Sequence, residues 1–295
     1  MVVSSEFHVE IVANKQIAPE YFSMRLAGPV RLARFLPGQF LMLGWTDGLD
    51  PLLPRAMSIR RARRGEGFAE VEILYKVCGR GTARLAAMRP GRSLRATGPL
   101  GNGFEVPRKV AHVILVAGGV GVPPIAALVD ALAGRMADRR IAVTVLLGGR
   151  SKVDLLCVSD LRRAGAAVHV ATEDGSAGHE GLVTDLLKHY LYTQHPTPNT
   201  RLYACGPYPM LAALAPIAEQ YDLPYHASME ANMACGFGAC MGCVVPVTAH
   251  KQERAYRLVC KDGPVFDGHK ILWDEHKTGV GGWGLGVGKL EGRKG

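Results

Sequence analysis

Four cysteines near the carboxyl end have the spacing of a metal centre. Cys235, Cys240 and Cys243 form a C-x4-C-x2-C pattern, and Cys260 follows after sixteen intervening residues. Thiolates with this spacing hold the two irons of a plant-type [2Fe-2S] cluster. The alternative is a structural zinc site with four thiolates, although zinc ribbons favour paired C-x2-C knuckles. The spacing therefore favours iron-sulfur over zinc.

A glycine-rich turn follows an apolar segment in the middle of the chain. It runs Gly118-Gly119-Val120-Gly121-Val122-Pro123-Pro124, and Cys205-Gly206-Pro207 ends a later apolar segment. Glycines between a strand and a helix let a pyrophosphate approach the backbone and the helix N-terminus. A glycine turn that serves only helix packing is the alternative. Two such turns at the carboxyl edge of one sheet favour a dinucleotide site.

A third group of polar residues lies in the first third of the chain. An arginine and a serine stand close together in Arg55-Ala56-Met57-Ser58, and Gly81-Thr82 opens a short helical pattern. The arginine can bind a phosphate through two hydrogen bonds, and the helix start offers a second anion contact. Each feature is common in ordinary loops. Their order ahead of the glycine-rich turn makes them candidates for a cofactor site.

Two patterns in the sequence predict the elements that must position these residues. Residues 7 to 97 contain six short strand patterns between Gly and Pro turns, which predict a small antiparallel barrel. From residue 112 to 228, apolar strands alternate with helical patterns, one of them at Asp154 to Arg163, which predicts a doubly wound parallel α/β sheet. The cysteine-bearing segment follows, and a glycine-dominated stretch ends the chain as an expected flexible tail.

Length, composition and charge exclude several classes of protein. The 295 residues are 48% hydrophobic and can bury cores without disulfide staples. The net charge is +9, but the densest basic run, Arg60 to Arg64, has no interleaved aromatic residues, so we expect no nucleic-acid partner. The uncharged stretch from Val113 to Val129 contains glycines and prolines, which argues against a membrane span. We see no export signal and expect a cytoplasmic protein.

The motifs, taken in order, resemble the ferredoxin-NADP reductase superfamily. The resemblance rests on Arg55-x-x-Ser58, Gly81-Thr82, Gly98-Pro99-Leu100-Gly101, Gly118-Gly119-x-Gly121-x-x-Pro124 and Cys205-Gly206-Pro207. Ser228-Met229-Glu230 and the segment Cys260 to Asp267 extend it to the electron-transfer subunits of dihydroorotate dehydrogenase B. It implies an FAD-binding barrel over residues 1–105, an NAD-binding domain over 106–228, a [2Fe-2S] module over 229–273 and a tail over 274–295.

The resemblance also implies cofactor contacts and a partner. The expected FAD contacts are Arg55, Ala56, Met57, Ser58, Leu74, Tyr75, Lys76, Gly81 and Thr82. The expected NAD contacts are Gly118, Gly119, Gly121, Pro123, Cys205, Gly206 and Pro207, and the expected cluster ligands are Cys235, Cys240, Cys243 and Cys260. Electrons would pass from the FMN of a dihydroorotate-oxidising catalytic subunit through the cluster and FAD to NAD+, in a heterotetramer of two subunits of each kind. This is a step of pyrimidine synthesis.

Some residues leave alternatives open or depart from the family pattern. Ala56 stands where the family usually has proline, and Cys78 occupies a loop position where a non-reactive residue is expected. Cys205 is either next to the nicotinamide ring, as a possible catalytic residue, or a small buried residue. Glu230 either tunes the flavin or caps a turn. Glu173-Asp174-Gly175 suits the ribose of NAD, whereas Arg150-Ser151-Lys152 suits the 2′-phosphate of NADP, and only the resemblance favours NAD.

Two other functions fit the same motifs. One is a flavin and iron-sulfur reductase subunit with a different partner, such as a sulfide dehydrogenase, a ferredoxin:NADP transhydrogenase or a hydrogenase. The other, of a different class, is a zinc-stabilised regulatory module that binds a nucleotide without turnover and is colourless.

Overall fold

The computed structural model describes residues 6–48, 50–249 and 253–274. The predicted tail, 274–295, lies outside the described residues apart from Asp274.

The first third of the chain forms a closed antiparallel barrel with the strand order β1-β2-β5-β4-β3-β6. Its strands are β1 (Glu6–Ala18), β2 (Tyr21–Gly28), β3 (Phe40–Trp45), β4 (Arg55–Arg64), β5 (Ala69–Lys76) and β6 (Ser93–Leu100). Helix α1 (Arg80–Ala87) connects β5 to β6. Alternate residues of β5 and β6 are buried, and their apolar side chains fill the interior of the barrel. The six predicted strands and the barrel are confirmed.

A seven-stranded sheet follows, in the order β10-β9-β8-β7-β11-β12-β15. Its strands are β7 (His112–Gly118), β8 (Ala142–Gly149), β9 (Ala167–Thr172), β10 (His179–Glu180), β11 (Thr200–Cys205), β12 (Tyr225–Ser228) and β15 (Val265–Asp267). The pairings from β10 to β12 are parallel, as predicted, but β15 pairs with β12 in the antiparallel direction. The short strands β10 and β15 were not predicted, because two or three residues carry no periodic signal.

Four helices cover the two faces of this sheet. They are α2 (Val122–Ala137), α3 (Val158–Arg163), α4 (Val183–Gln194) and α5 (Tyr208–Gln220). The helix predicted from Asp154 is wrong at its start. A 3-10 turn ends at Asp154, and Cys157 adopts a left-handed conformation with φ 63°, so α3 begins only at Val158. The segment Gly119–Ala137 is long and apolar enough to cross a membrane, but 56% of its most apolar window is buried in the protein.

The cysteine-bearing segment adds a hairpin of β13 (Val244–Thr248) and β14 (Arg254–Leu258) before it reaches β15. One buried apolar cluster joins all three parts of the molecule. It includes Met42 and Leu100 of the barrel, Tyr225 of the sheet, and Val245 and Cys260 of the cysteine-bearing segment. The three parts therefore share a core around the cysteines.

Candidate functional site

The four clustered cysteines meet as two pairs of thiols. Cys235 lies beside Cys240, and Cys243 lies beside Cys260, so that within each pair one cysteine affects the pKa of the other. In the part of the chain that the structure describes, no group of three or more His, Cys, Asp or Glu side chains converges on one ion position. Two thiolates for each of two irons is the arrangement that a [2Fe-2S] cluster requires.

Main-chain N–H groups point at the sulfurs, as they do around iron-sulfur clusters. Cys240 N lies 3.5 Å from the sulfur of Cys235, and Cys260 N lies 3.4 Å from that of Cys243. Burial acts to raise the pKa of Cys235, but N–H groups of Cys240 and Phe237 outweigh it and lower that pKa to about 6. Burial and the Cys243 thiol raise the pKa of Cys260 to about 12. The residues present fit a cluster whose negative sulfurs receive N–H donors.

The two thiol pairs differ in exposure. Cys243 and Cys260 are buried, whereas Cys240 is exposed and Cys235 is half-buried. Next to this outer pair, Gly236 packs against Met42 of β3. The cluster site thus has one side in the shared core and one side at the surface.

The two glycine turns meet at the carboxyl edge of the sheet. A Cβ on Gly121 would lie 2.4 Å from the carbonyl oxygen of Cys205, so only glycine allows the two loops to touch. Gly119 has φ +52° and open space around it, and α2 begins immediately afterwards at Val122, with Pro123 buried in its first turn. Open main chain at a helix N-terminus fits a dinucleotide pyrophosphate.

Cys205 lies beside this edge with its thiol inside the protein. It is 3% exposed, and burial followed by the nearby Glu230 carboxylate raises its pKa well above the ordinary value. The thiol also hydrogen-bonds to Ser228 on the neighbouring strand β12. The structure thus gives Cys205 the surroundings of a protonated, buried thiol.

Glu230 combines solvent exposure with a desolvated carboxyl group. Its side chain has exposed surface, yet the surrounding protein raises the pKa of the carboxyl above the ordinary value. The carboxyl lies close enough to Cys205 to raise the pKa of that thiol.

The polar residues of the barrel meet at the start of α1. A Cβ on Gly81 would lie 2.2 Å from Nε of Arg55, so the guanidinium rests directly on the first turn of the helix. The Thr82 hydroxyl accepts hydrogen bonds from the N–H groups of Cys78 and Gly79, which orders this turn. An arginine beside free helix N–H groups can hold a phosphate.

The other predicted flavin contacts lie on β4 and β5. Ala56 and Ser58 face outward from β4, whereas Met57 is buried in the barrel interior. The side chains of Leu74 and Tyr75 are also buried, so a cofactor would meet the main chain there. The amine of Lys76 lies 3.6 Å from Asp154 of the α/β domain and 3.7 Å from Glu20.

The two segments that could select the dinucleotide lie side by side. Asp174 N donates to the carbonyl of Arg150, and Lys152 N donates to the Ser176 hydroxyl, which in turn donates to Asp174. The Asp154 carboxylate organises the same loop, since it accepts hydrogen bonds from the N–H groups of Arg150 and Ser151 and from the hydroxyl of Tyr21. Asp154 was not singled out in the sequence, although Ser151-x-x-Asp154 has the pattern of a capping box.

Two family models match the chain. The model described as the iron-sulfur cluster binding domain of dihydroorotate dehydrogenase B matches residues 230–272. The model described as an oxidoreductase NAD-binding domain matches residues 115–215. The first match favours iron-sulfur over the zinc alternative.

The chain is also similar to curated proteins over most of its length. It is 34% identical over 272 residues to the dihydroorotate dehydrogenase B (NAD(+)) electron transfer subunit of Desulforamulus reducens, covering 92% of this chain and 100% of that protein. It is 38% identical over 273 residues to the subunit of the same name from Bacillus velezensis, covering 90% and 98%.

Solved structures with the same architecture include flavin reductases. One, from work on flavin-based electron bifurcation by an NADH-dependent reduced ferredoxin-NADP oxidoreductase, has a TM-score of 0.76 at 28% identity and covers 90% of each chain. A ferredoxin reductase of carbazole 1,9a-dioxygenase has a TM-score of 0.63 at 25% identity and covers 76% of this chain and 68% of that one.

Proposed function

The chain belongs to the family of dihydroorotate dehydrogenase B electron transfer subunits, and from that premise we propose that it carries electrons from a dihydroorotate-oxidising subunit to NAD+ in pyrimidine synthesis. Its cofactors in this role are FAD, a [2Fe-2S] cluster and NAD. The electrons come from the FMN of the partner, in a cytoplasmic heterotetramer with two subunits of each kind. FAD supplies the exchange between one-electron transfer at the cluster and two-electron hydride transfer at the nicotinamide.

The placement of the cysteine segment carries this proposal. Gly236 contacts Met42, and Met42 pairs with Ala56 of the predicted flavin strand across β3 and β4. At its other end, the segment joins the α/β sheet through β15. The cluster ligands are therefore fixed against both the barrel and the α/β domain, as an electron path from one to the other requires.

The residues of the chain have separate tasks in this mechanism. Arg55 and the first turn of α1 would bind the phosphates of FAD, and Ser58 would contact the cofactor from the outer face of β4. The Gly118–Gly121 turn would bind the pyrophosphate of NAD. Cys205 remains a thiol, and the Glu230 carboxyl lies close to it. The shared core keeps water away from the inner thiols of the cluster.

The loop from Gly236 to Gly242, which carries the exposed Cys240, suits contact with a protein partner. Phe237 is 51% exposed and Met241 is 60% exposed, on either side of the exposed Cys240. Large apolar side chains beside an exposed ligand suit a surface that a partner covers, because burial of these side chains is favourable and shortens the electron path. We therefore propose that this loop forms part of the docking surface for the catalytic subunit.

The test is a visible absorption spectrum of anaerobically purified protein, coexpressed with a candidate dihydroorotate-oxidising subunit. Flavin and iron-sulfur bands should bleach on addition of dihydroorotate and recover with NAD+. Bands that bleach with NADH but not with dihydroorotate would refute the proposed partner, but they would still support a reductase function. A colourless, zinc-containing protein would refute the redox function.

A second candidate function is a flavin and iron-sulfur reductase with a different electron partner. The observation that favours it is the similarity, over 90% of both chains, to the ferredoxin-NADP oxidoreductase structure. The same spectra separate the candidates, because reduced ferredoxin instead of dihydroorotate would then bleach the bands.

Replacement of Cys240 by Ser should remove the cluster and leave the flavin. The side chain is exposed and lies outside the shared core, so the barrel should fold and hold FAD. We expect iron content to fall by at least tenfold and FAD content to remain near one per chain, measured by metal analysis and by the spectrum of released flavin. Cys78→Ser, also at an exposed cysteine, is the matched control. Full iron content in Cys240→Ser would contradict the ligand set.

A further inference from the structure

One guanidinium from the barrel is buried in the α/β domain. Arg60 of β4 is 2% exposed although it lies outside the barrel interior. Its Nη1 lies 2.7 Å from Oδ2 of Asp130 on α2, and its Nη2 lies 3.8 Å from Oδ2 of Asp160 on α3. The thiol of Cys157, just before α3, lies near the same guanidinium. A single side chain therefore connects three elements across the boundary between the domains.

A β-bulge aims this side chain at the α/β domain. The pairing of β4 with β5 shifts by one residue between Ile59 and Arg61. Ile59 fills the barrel interior, and both Arg60 and Arg61 face outward to the same carboxylate, with Nε of Arg61 3.0 Å from Oδ2 of Asp130. Bulges re-aim side chains in this way and often lie close to functional sites.

The two elements that Arg60 connects are those that hold the two reacting partners in the proposed function. Arg60 follows Ser58 by two residues, about 7 Å along the strand that carries the proposed flavin contacts. Asp130 lies on α2, about 12 Å along the helix from its start at Val122, beside the proposed dinucleotide turn. Hydride transfer requires the two rings to approach within about 3–3.5 Å, so small changes in the spacing of these elements affect its rate.

We propose that Arg60 is a positioning residue for hydride transfer, which sets the spacing between the flavin strand β4 and the dinucleotide helix α2 through its contacts with Asp130 and Asp160. This inference rests on the proposed function only in the step from NADH to flavin, for which the chain should need no partner.

A contribution to stability alone does not account for this arrangement. The desolvation of buried charges offsets much of their attraction, so a buried ion pair is a weak source of stability. The planar guanidinium does impose direction, since its nitrogens point to partners on two different helices. Arg60→Met can fill a similar space without that direction, and Asp130 then keeps its contact with Arg61. Arg60→Lys keeps the charge but has a single nitrogen.

The experiment follows flavin reduction by NADH in the cofactor-loaded chain under anaerobic stopped-flow conditions. Arg60→Met should lower the limiting rate of reduction at least tenfold and leave the apparent Kd of NADH within about twofold. The long-wavelength absorbance of the stacked nicotinamide and flavin should decrease as well, and Arg60→Lys should be intermediate. Arg25→Met, which removes a surface pair within the barrel, is the matched control and should match the wild type.

A second readout does not depend on turnover. Amide hydrogen exchange in β4 and α2 should increase in Arg60→Met, and FAD and iron contents should be unchanged. A wild-type limiting rate and absorbance in Arg60→Met would overturn the proposal, as would a loss of FAD equal to the loss of rate. If Arg60→Met does not fold, a folded Arg60→Lys with wild-type rate and absorbance overturns it. A wild-type chain that NADH does not reduce would instead refute the proposed function.

Discussion

The α/β domain has two boundaries, and they are built differently. Its boundary with the barrel includes polar point contacts: Arg60 with Asp130, and Tyr21 and Lys76 with Asp154. Arg60 and Tyr21 are buried, whereas Asp130 and Lys76 are each about a third exposed. Such contacts are directional, and those between charged groups depend on pH.

The boundary with the cysteine-bearing segment is continuous, because strand pairing and close packing run across it. Strand β15 extends the sheet beside β12, and the buried Tyr225 stacks on Trp273 with the ring centroids 6.5 Å apart. Trp273 Nε1 donates to the carbonyl of Gly268, which holds the indole in place. Ladder hydrogen bonds and close packing fix this boundary in one register.

The difference matches what each boundary has to do in the proposed function. The cluster stays in place, so the residues around it can pack without an opening. In the proposed function the nicotinamide would arrive and leave between the barrel and the α/β domain, so that boundary has to admit it. Directional contacts at such a boundary maintain spacing without filling it.

The largest effect is expected when the continuous boundary is broken. Tyr225→Ala should lower the free energy of unfolding by about 3–5 kcal/mol, because it leaves a large cavity in the shared core, and should reduce iron content. Denaturant unfolding and metal analysis measure both. Tyr225→Phe, which removes only the hydrogen bond to the carbonyl of Leu211, should cost about 1 kcal/mol. Equal effects of the two variants would contradict the packing argument.

A smaller effect is expected at the polar boundary. Asp130→Ala leaves Asp160 as the remaining carboxylate near the buried Arg60 guanidinium. The free energy of unfolding should fall by about 2 kcal/mol. This is less than for a fully buried pair, because Asp130 is partly exposed. Iron content should not change. The double variant Arg60→Met with Asp130→Leu should recover most of the stability in the same unfolding experiment. A double variant less stable than Asp130→Ala would show that the pair is not replaceable by apolar contact.

The two boundaries should also lose stability in different pH ranges. Burial lowers the pKa of His226, next to β15, below its ordinary value of 6.5; Asp267 opposes this and Arg201 and His269 reinforce it. As pH falls, His226 therefore binds a proton at a higher pH in the unfolded chain than in the folded chain. The free energy of unfolding falls as pH drops below about 6.5.

Asp154 at the barrel boundary behaves differently. Burial acts to raise the pKa of its carboxyl, but the Tyr21 hydroxyl, N–H groups and Lys76 outweigh it and hold that pKa below its ordinary value of 3.8. Asp154 therefore stabilises the folded chain above about pH 3.8. This stabilisation is lost as pH falls through the lower pKa that the carboxyl has in the folded chain. Unfolding free energies from pH 8 to 3 should show both ranges, and His226→Gln should weaken only the upper one, to which His112, whose pKa burial also lowers, still contributes. Loss of the lower range in His226→Gln would contradict this assignment.

The smallest effect is expected at an exposed ion pair near the continuous boundary. Lys270 and Asp267 lie 3.6 Å apart, and their side chains are 68% and 42% exposed. Lys270→Ala should change the free energy of unfolding by no more than about 0.5 kcal/mol, because water screens the pair. A loss of more than about 1 kcal/mol in denaturant unfolding would show that surface charge contributes to this boundary.

Much of the fold could be predicted because its signals are local. Alternation of period two gave the six barrel strands, and apolar strands alternating with helical patterns gave the parallel sheet. Strand β15 could not be predicted, since its three residues gain their partners only when the chain returns to β12. The start of α3 was missed because Cys157 adopts a left-handed conformation, with φ 63°, that residues other than glycine rarely adopt.

The sequence by itself determined which chemistry the protein can perform, because spacing within short segments specifies it. Three motifs can be recognised from the sequence alone: the C-x4-C-x2-C pattern with Cys260, the glycine turns, and Arg55 with Ser58. The tertiary structure alone decided how these groups face one another. The core that Cys260 shares with the barrel, the close approach of Gly121 to Cys205, and a guanidinium buried between domains each join residues far apart in the chain, and such contacts depend on packing that no local pattern encodes.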